Sequence, residues 1–180
     1  MRIRDWYFQG WERREDENGQ TALVYTGEYY AFPGGAARAK PPCLLMTTGL
    51  LALYLPVAFF PSEGGMWHFA AIPPLLEVIP LIYLVMGAVN LLRGKEPMTF
   101  RDWYASWRRM ETAALWSAIL TALMTALELV YILVIADGLS LPAEPLYLLG
   151  EAGCAALSIT LFLFLKKHPC VQSVDPAKKE

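Results

Sequence analysis

Apolar residues in this chain are concentrated in long runs, and most charged residues lie in the polar segments between them. Four runs reach the roughly 20 residues that an α-helix needs to cross a bilayer. They predict membrane helices over residues 43–60, 66–92, 113–136 and 146–165. The sequence therefore predicts an all-α transmembrane fold, in which four helices form a bundle of two helical hairpins.

The first 42 residues are polar and predict a small β-structure ahead of the first membrane helix. Asn18-Gly19 fits a hairpin turn, because both residue types accept the positive φ values that such turns require. We expect a two- or three-stranded β-meander around it, and a short helix near Trp6 is the alternative. The three predicted strands cover residues 7–14, 20–25 and 28–32.

The polar segment 93–112 separates the two hairpins and places its aromatic residues on one helical face. Phe100, Trp103, Tyr104 and Trp107 recur at the spacing of an amphipathic helix. This pattern predicts a helix lying in the lipid headgroups, with the simple anchor of the next membrane helix as the alternative. The predicted interface anchors are Trp103, Tyr104, Trp107, Arg108 and Arg109.

The basic residues are distributed on one side of the predicted helices. All fifteen Lys and Arg residues lie in segments 1–42 and 93–112 and in the tail, 166–180, whereas loops 61–65 and 137–145 contain none. Cytoplasmic loops carry the excess of Lys and Arg in membrane proteins. We therefore expect a multi-pass protein of the plasma membrane with both termini and the central loop in the cytoplasm.

A short sequence recurs ahead of each hairpin. Arg4-Asp5-Trp6-Tyr7 is repeated as Arg101-Asp102-Trp103-Tyr104, and each copy is followed by a further tryptophan and two arginines. Each hairpin also has a glutamate sixteen residues before a basic residue, Glu77 in the first and Glu151 in the second. The pattern indicates an internal duplication of a two-helix unit, with convergent use of interface anchors as the alternative.

Three carboxylates interrupt the predicted membrane helices: Glu77, Glu128 and Glu151. Each lies about 24 Å from the predicted cytoplasmic edge at the α-helical rise, which predicts a single layer of glutamates. No Lys or Arg lies within a predicted helix to neutralise them. Ionisable residues in a membrane are candidates for a proton or cation site. A structural role near the outer boundary of the bilayer is nevertheless somewhat favoured over such a site.

The sequence shows no pattern of a catalytic or metal site. The two histidines, His68 and His168, are predicted at opposite faces of the membrane, and the three cysteines have no metal-binding spacing. No hydrolase or phosphate-binding motif is present. We therefore expect no catalytic residue, metal or cofactor. The basic residues flank the bilayer, so they indicate anionic lipid rather than nucleic acid.

Two functional hypotheses follow from these patterns. The leading one is a non-catalytic accessory or regulatory membrane module, whose cytoplasmic N-terminal segment docks a membrane or cytoplasmic protein. The alternative is a small proton- or cation-coupled transporter or channel that uses the glutamate layer. Since four helices are few for a pathway, the alternative predicts a homodimer.

Overall fold

A computed structural model of the chain consists of four long helices and short strands in its described residues. All four helices are long and apolar enough to cross a membrane, which confirms the predicted architecture at that level. They are α1, Ala36–Ala58; α2, Ile72–Arg93; α3, a continuous helix over 100–135; and α4, Ala143–Lys167. The structure describes residues 10–15, 21–60, 62–64, 71–135, 143–168 and 171–173.

Helix α3 is longer than predicted, because it begins at Phe100 rather than at residue 113. It consists of Phe100–Trp103, a π-helical turn at Tyr104–Arg108, the regular helix Arg109–Val130 and a second π-helical turn at Tyr131–Ile135. Backbone angles at the junctions are right-handed helical, so the four parts form one helix. The predicted amphipathic helix of the central loop is therefore the beginning of α3.

The aromatic face of this segment packs on protein, which explains why the segment joins the bundle. Trp103 stacks on Tyr30 with ring centroids 4.5 Å apart. Trp107 packs edge-on against Phe32 at 4.7 Å and is only 2 % exposed. Because Tyr30 and Phe32 lie in the N-terminal segment, that segment covers the face that we had expected to contact headgroups.

Helix α1 begins seven residues before the predicted start and runs through Pro41 and Pro42. Each proline removes one helical hydrogen bond, which would otherwise reach the carbonyl of Ala37 or Arg38. Both of these residues are exposed at the helix end, where water can satisfy their carbonyls. Helix α2 begins at Ile72, and Pro73 and Pro74 lie in its first turn, where a missing N–H costs little.

Each helix buries one line of side chains along its length, which we call its stripe. Successive residues of a stripe are three or four positions apart, the spacing of coiled-coil packing. Helix α3 packs against α2 and α4, and α1 packs mainly against α4. At Gly87 the backbones of α2 and α3 approach so closely that a Cβ atom would contact Met110 and the Ser106 carbonyl. The stripe of α4 consists of Glu144, Tyr147, Glu151, Cys154, Ser158, Leu161 and Leu165.

Two small sheets lie at one end of the bundle. Strands β1, Trp11–Glu15, and β2, Thr21–Tyr25, form the predicted antiparallel hairpin, with Trp11 opposite Tyr25. Its turn residues lie outside the described ranges. Strand β3, Tyr29–Ala31, does not extend this hairpin into a meander. It lies instead between β4, Met98–Thr99, and β5, Val171–Ser173.

The chain leaves the hairpin at a tight turn, which explains why β3 pairs elsewhere. The backbone N–H groups of Thr26 and Gly27 both donate to the Gly10 carbonyl, at 2.7 and 3.2 Å. Gly10 has a φ of 84°, which favours glycine.

The Tyr25 hydroxyl donates to the Glu28 carbonyl at 2.8 Å and accepts from the Phe100 N–H at 3.0 Å. Burial raises the pKa of Tyr25 above its ordinary value.

Strands β3, β4 and β5 come from the N-terminal segment, the central loop and the C-terminal tail. All three segments therefore meet at one end of the bundle, which we call the sheet end. The opposite, distal end carries the turn at residues 62–64 and the start of α4. The outward surface between them is rich in exposed leucine, isoleucine and valine, as expected for helices in contact with lipid.

Candidate functional site

The core of the bundle changes in character along its length. Near the sheet end, the buried stripes consist mainly of large apolar or small side chains, with the hydroxyl of Ser106 among them, and we call this region the sheet-proximal half. Its buried residues include Cys43, Leu84, Gly87, Leu91, Trp107, Met110, Ala114, Leu161 and Leu165. In the distal half the same stripes carry polar groups. These are Tyr54, Glu77, Ser117, Thr121, Glu128, Tyr147, Glu151, Cys154 and Ser158.

Glu77 is the acid closest to the sheet end, and its side chain is fully buried, with 0 % exposed. It projects from α2 toward α3 and α4. The Ser117 hydroxyl of α3 donates a short hydrogen bond to Glu77 Oε1. Ser117 Oγ also lies 3.0 Å from Ser158 Oγ of α4. Among the described residues, Glu77 Oε2 has no hydrogen-bond partner.

Glu151 of α4 is the second buried acid, with 3 % of the residue exposed. The Tyr147 hydroxyl, one helical turn earlier, is its hydrogen-bond partner, and Glu151 Oε2 has none within the described ranges. The Cys154 thiol lies near both Glu77 and Glu151. Tyr54 of α1 approaches the same region from the other side.

Glu128 of α3 lies furthest from the sheet end and is 1 % exposed. Its carboxyl group faces the Glu144 carboxyl, with which it can share one proton, and no other side chain in the described part of the chain donates to it. Its neighbours are the Glu144 carboxyl and the backbone of Gly64. Glu144 in turn accepts from Ser62 Oγ at 2.7 Å and from the Glu63 N–H at 2.8 Å. Glu144 thus holds the turn at residues 62–64 over Glu128.

The three acids do not form the single layer that we expected. Glu77 is level with Ser117 and Ser158, to which it is linked by hydrogen bonds. Glu128 lies eleven residues beyond Ser117 on α3, which is roughly 16 Å along the helix. Glu151 lies seven residues from Ser158 on α4, or roughly 10 Å toward the distal end. Glu77, Glu151 and Glu128 therefore form a glutamate ladder along the bundle axis.

The expected layer was wrong because the helices do not start at the same level. The sequence count placed Glu128 sixteen residues from a predicted helix edge at Thr112. Helix α3 in fact begins at Phe100. That shift of twelve residues moves Glu128 roughly 18 Å further from the sheet end.

No basic side chain of the described residues neutralises the glutamate ladder. The four helices place their Lys and Arg residues only toward the sheet end, and the one ion pair in the described residues is Arg108–Glu111 at the surface. An ionised carboxylate buried without a counter-charge costs several kcal/mol. Each acid must therefore hold a proton or be neutralised by an entering cation.

The described side chains beside the ladder acids carry hydroxyl and thiol groups. The described residues contain no group of three or more His, Cys, Asp or Glu that could hold a metal ion. Hydroxyl and thiol groups lie between the acids, and such groups can donate and accept hydrogen bonds.

The predicted interface anchors lie in different surroundings. Trp107 is buried in the core, so it does not contact headgroups, and Trp103 is half-buried against Tyr30. Tyr104 and Arg108 are exposed, and Arg109 is half-buried. These last three residues line an open groove between α2 and α3.

Sequence reasoning missed the polar partners of the glutamates. Tyr147, Glu151, Cys154 and Ser158 occupy successive stripe positions of α4. Their spacing at i, i+4, i+7 and i+11 within an apolar run is a visible signal of a polar face. Ser117 gives no comparable signal, because its importance depends on being level with Glu77.

Comparison of the chain with protein-family models, with curated proteins and with solved structures found no match.

Proposed function

We propose that this protein binds and transfers protons through the glutamate ladder, as a small proton-coupled transporter or channel. The observation that carries the proposal is the burial of Glu77, Glu151 and Glu128, each with at least one unpartnered carboxyl oxygen among the described residues. Burying such groups without hydrogen-bond partners destabilises a protein, and ionisable residues buried in membrane helices are therefore candidates for a functional site. Their positions along one axis of the bundle would give a proton a series of binding sites.

In this proposal the sheet end faces the cytoplasm of the plasma membrane. All fifteen basic residues of the sequence lie in the segments that adjoin this end, whereas the distal loops have none. The positive-inside rule then places both termini and the central loop in the cytoplasm. Protons would enter the ladder from the outer side of the membrane, where Glu128 lies.

The path would run from Glu128 to Glu151 and then to Glu77. The turn at residues 62–64 closes its outer end, and Glu144 holds this turn through two hydrogen bonds. Displacement of the turn would give Glu128 access to water. Tyr54 and Cys154 lie near both Glu151 and Glu77, and the Tyr54 hydroxyl donates a hydrogen bond to the Pro74 carbonyl at 2.7 Å.

The sheet-proximal half closes the inner end, so transfer to the cytoplasm requires a conformational change. Helix α2 has a built-in point for bending at Pro80, three residues after Glu77. Proline removes the hydrogen bond to the Leu76 carbonyl, and such positions are where helices kink. The path lies within one bundle, so this proposal does not require the homodimer that we expected from helix number.

Proton flux in liposomes tests the proposal. A proton gradient is imposed on vesicles containing the protein, and internal pH is followed with a trapped dye. Glu77→Gln, Glu151→Gln and Glu128→Gln should each lower the flux at least about tenfold, because each removes one proton-binding site of a series. Glu12→Gln makes the same chemical change in the exposed hairpin and should leave flux unchanged.

Two results would contradict the proposal. Folded wild-type protein that gives no flux above that of empty liposomes, in either gradient direction, would leave the ladder without a transport role. Equal flux in wild type and all three ladder variants would show that protons pass elsewhere. Helix content and monodispersity of each variant show that a loss of flux does not reflect unfolding.

The accessory role is a second candidate, and the hairpin β1–β2 favours it. Leu23 and Val24 are 53 % and 38 % exposed, and as neighbours in a strand they point to opposite faces. A two-stranded hairpin exposed on both faces is marginally stable by itself. A partner protein that covers it would explain why it carries apolar residues on both sides.

The structure changes how docking should be tested. Strand β3 is the centre of the second sheet, so a deletion must stop before Tyr29. Removal of residues 1–24 should abolish co-purification of a native partner without affecting membrane insertion. Leu23→Ser/Val24→Ser, which keeps the hairpin backbone, should weaken the same association. Unchanged co-purification with both variants would exclude the hairpin as a docking site.

A further inference from the structure

An open groove lies on the outer surface of the bundle between α2 and α3. Its volume is about 700 Å³. Most of its wall is apolar or aromatic, and two arginines lie at one end. We call it the basic groove, and the residues that define it are Leu76, Ile79, Tyr83, Arg108, Arg109 and Trp116. It is separate from the glutamate ladder, which faces the interior.

Arg108 of the groove lies at the same level along the bundle as Lys167 of α4. Ser117 and Ser158 are in contact at 3.0 Å, and they fix the relative level of α3 and α4. Arg108 lies nine residues before Ser117, and Lys167 lies nine residues after Ser158. Because these helices are antiparallel, both basic residues lie roughly 13 Å from the contact in the same direction.

The charge of the groove is incompletely neutralised by the protein. Arg108 Nη1 pairs with Glu111 at 2.7 Å, which leaves most of its N–H groups available. The Arg109 guanidinium lies 5.7 Å from the centre of the Tyr83 ring. In the described ranges, Arg109 has neither a carboxylate nor a hydrogen-bond partner. The basic end therefore lacks an anion, while the remainder of the groove is suited to hydrocarbon.

We propose that the basic groove binds one anionic phospholipid, with its phosphate on Arg108 and Arg109 and an acyl chain along the apolar wall. Arginine is well suited to phosphate, because its planar N–H groups match two oxygens at once. The chain would pass Tyr83 and Trp116 toward Leu76. A lipid in this position bridges α2, which carries Glu77, and α3, which carries Glu128.

A second copy of the chain is a poorer occupant of the groove. It would have to present an anion to Arg109 from its membrane surface. Helix α1 contains no acidic residue, and the acids of α2 and α4 are all buried. These three helices therefore offer no counter-charge, whereas every anionic phospholipid brings one at headgroup level.

Quenching of Trp116 fluorescence tests this inference. Phosphatidylglycerol with brominated acyl chains is titrated into the full-length protein in detergent, and Trp116→Phe identifies the contribution of the groove. Wild type should show saturable quenching. Arg108→Gln/Arg109→Gln should weaken it at least about tenfold, since each basic contact contributes about 1 kcal/mol. Lys166→Gln/Lys167→Gln removes the same charge at the same level and should change it less than about twofold.

Four results would overturn the inference. Brominated phosphatidylcholine that quenches Trp116 equally well would show a groove without selectivity for anionic lipid. Equal weakening by the two double variants would indicate diffuse attraction to a charged micelle. Absence of saturable quenching in a protein that forms dimers would assign the groove to a second copy. Glycerol phosphate, which lacks acyl chains, should not compete with the lipid, and effective competition would mean a simple phosphate site.

Discussion

The two halves of the bundle core use the same helices and the same stripe spacing, but they are filled with opposite kinds of side chain. In the sheet-proximal half, Leu84, Leu161 and Met110 are fully buried and meet apolar neighbours. In the distal half, the corresponding positions of α2, α4 and α3 carry Glu77, Glu151 and Glu128. Spacing therefore determines how the helices pack, and residue identity determines what each half can do.

The comparison separates what stability requires from what function requires. The sheet-proximal half shows that leucine, methionine and small residues are sufficient to pack these helices. Among the described residues of the distal half, Glu77, Glu151 and Glu128 each have at least one unpartnered carboxyl oxygen, which lowers stability. Buried side chains that lower the stability of an otherwise well-packed core are expected at functional sites.

The largest effect on stability is expected from placing an acid in the core of the sheet-proximal half. Leu84→Glu should destabilise the protein by at least about 3 kcal/mol, because it removes a fully buried leucine and adds a carboxyl group without a polar neighbour. Reversible unfolding in detergent measures this. Leu84→Met, which keeps volume and polarity, should change stability by less than about 1.5 kcal/mol. If Leu84→Glu is as stable as wild type, the sheet-proximal half is hydrated and the two halves do not differ.

The reverse exchange tests whether the distal half sacrifices stability for function. Glu77→Leu should raise the free energy of unfolding by about 1 kcal/mol, since replacing a buried unpaired ionisable group by an apolar one is often stabilising. Ser117 keeps a hydroxyl partner in Ser158. The same variant should lose proton flux. A loss of stability greater than about 1 kcal/mol would instead make Glu77 a structural partner of Ser117.

The positions of the helices could be predicted because long apolar runs leave few alternatives in a chain of this length. The start of α3 could not be predicted, because an aromatic face on a helix is equally suited to contact with lipid headgroups and with protein. Phe32 and Tyr30, which cover Trp107 and Trp103, are distant in sequence. The internal duplication stays a prediction.

The candidate site could be predicted in part, because long apolar runs also make an acidic residue within them easy to see. An acid in an apolar run is visible in sequence, and Glu77, Glu128 and Glu151 were identified in that way. Their depth depends on where each helix starts and how far neighbouring helices are shifted, which the central loop and the sheet determine. The link from Glu77 through Ser117 to Ser158 joins three helices, and it required the structure.

The smallest effect on stability is expected at the hydrogen bond between Ser117 and Ser158. Ser158→Ala removes one hydroxyl from the distal half and leaves the Ser117 bond to Glu77 in place, so it should cost about 0.5–1 kcal/mol. Thr160→Ala, two residues along α4, removes a hydroxyl that bonds only to its own helix at the Ala156 carbonyl, and it should change stability by less than about 0.5 kcal/mol. Unfolding in detergent distinguishes the two. Equal effects would show that the serine pair does not contribute to the packing of α3 on α4, and that Glu77 is held by Ser117 alone.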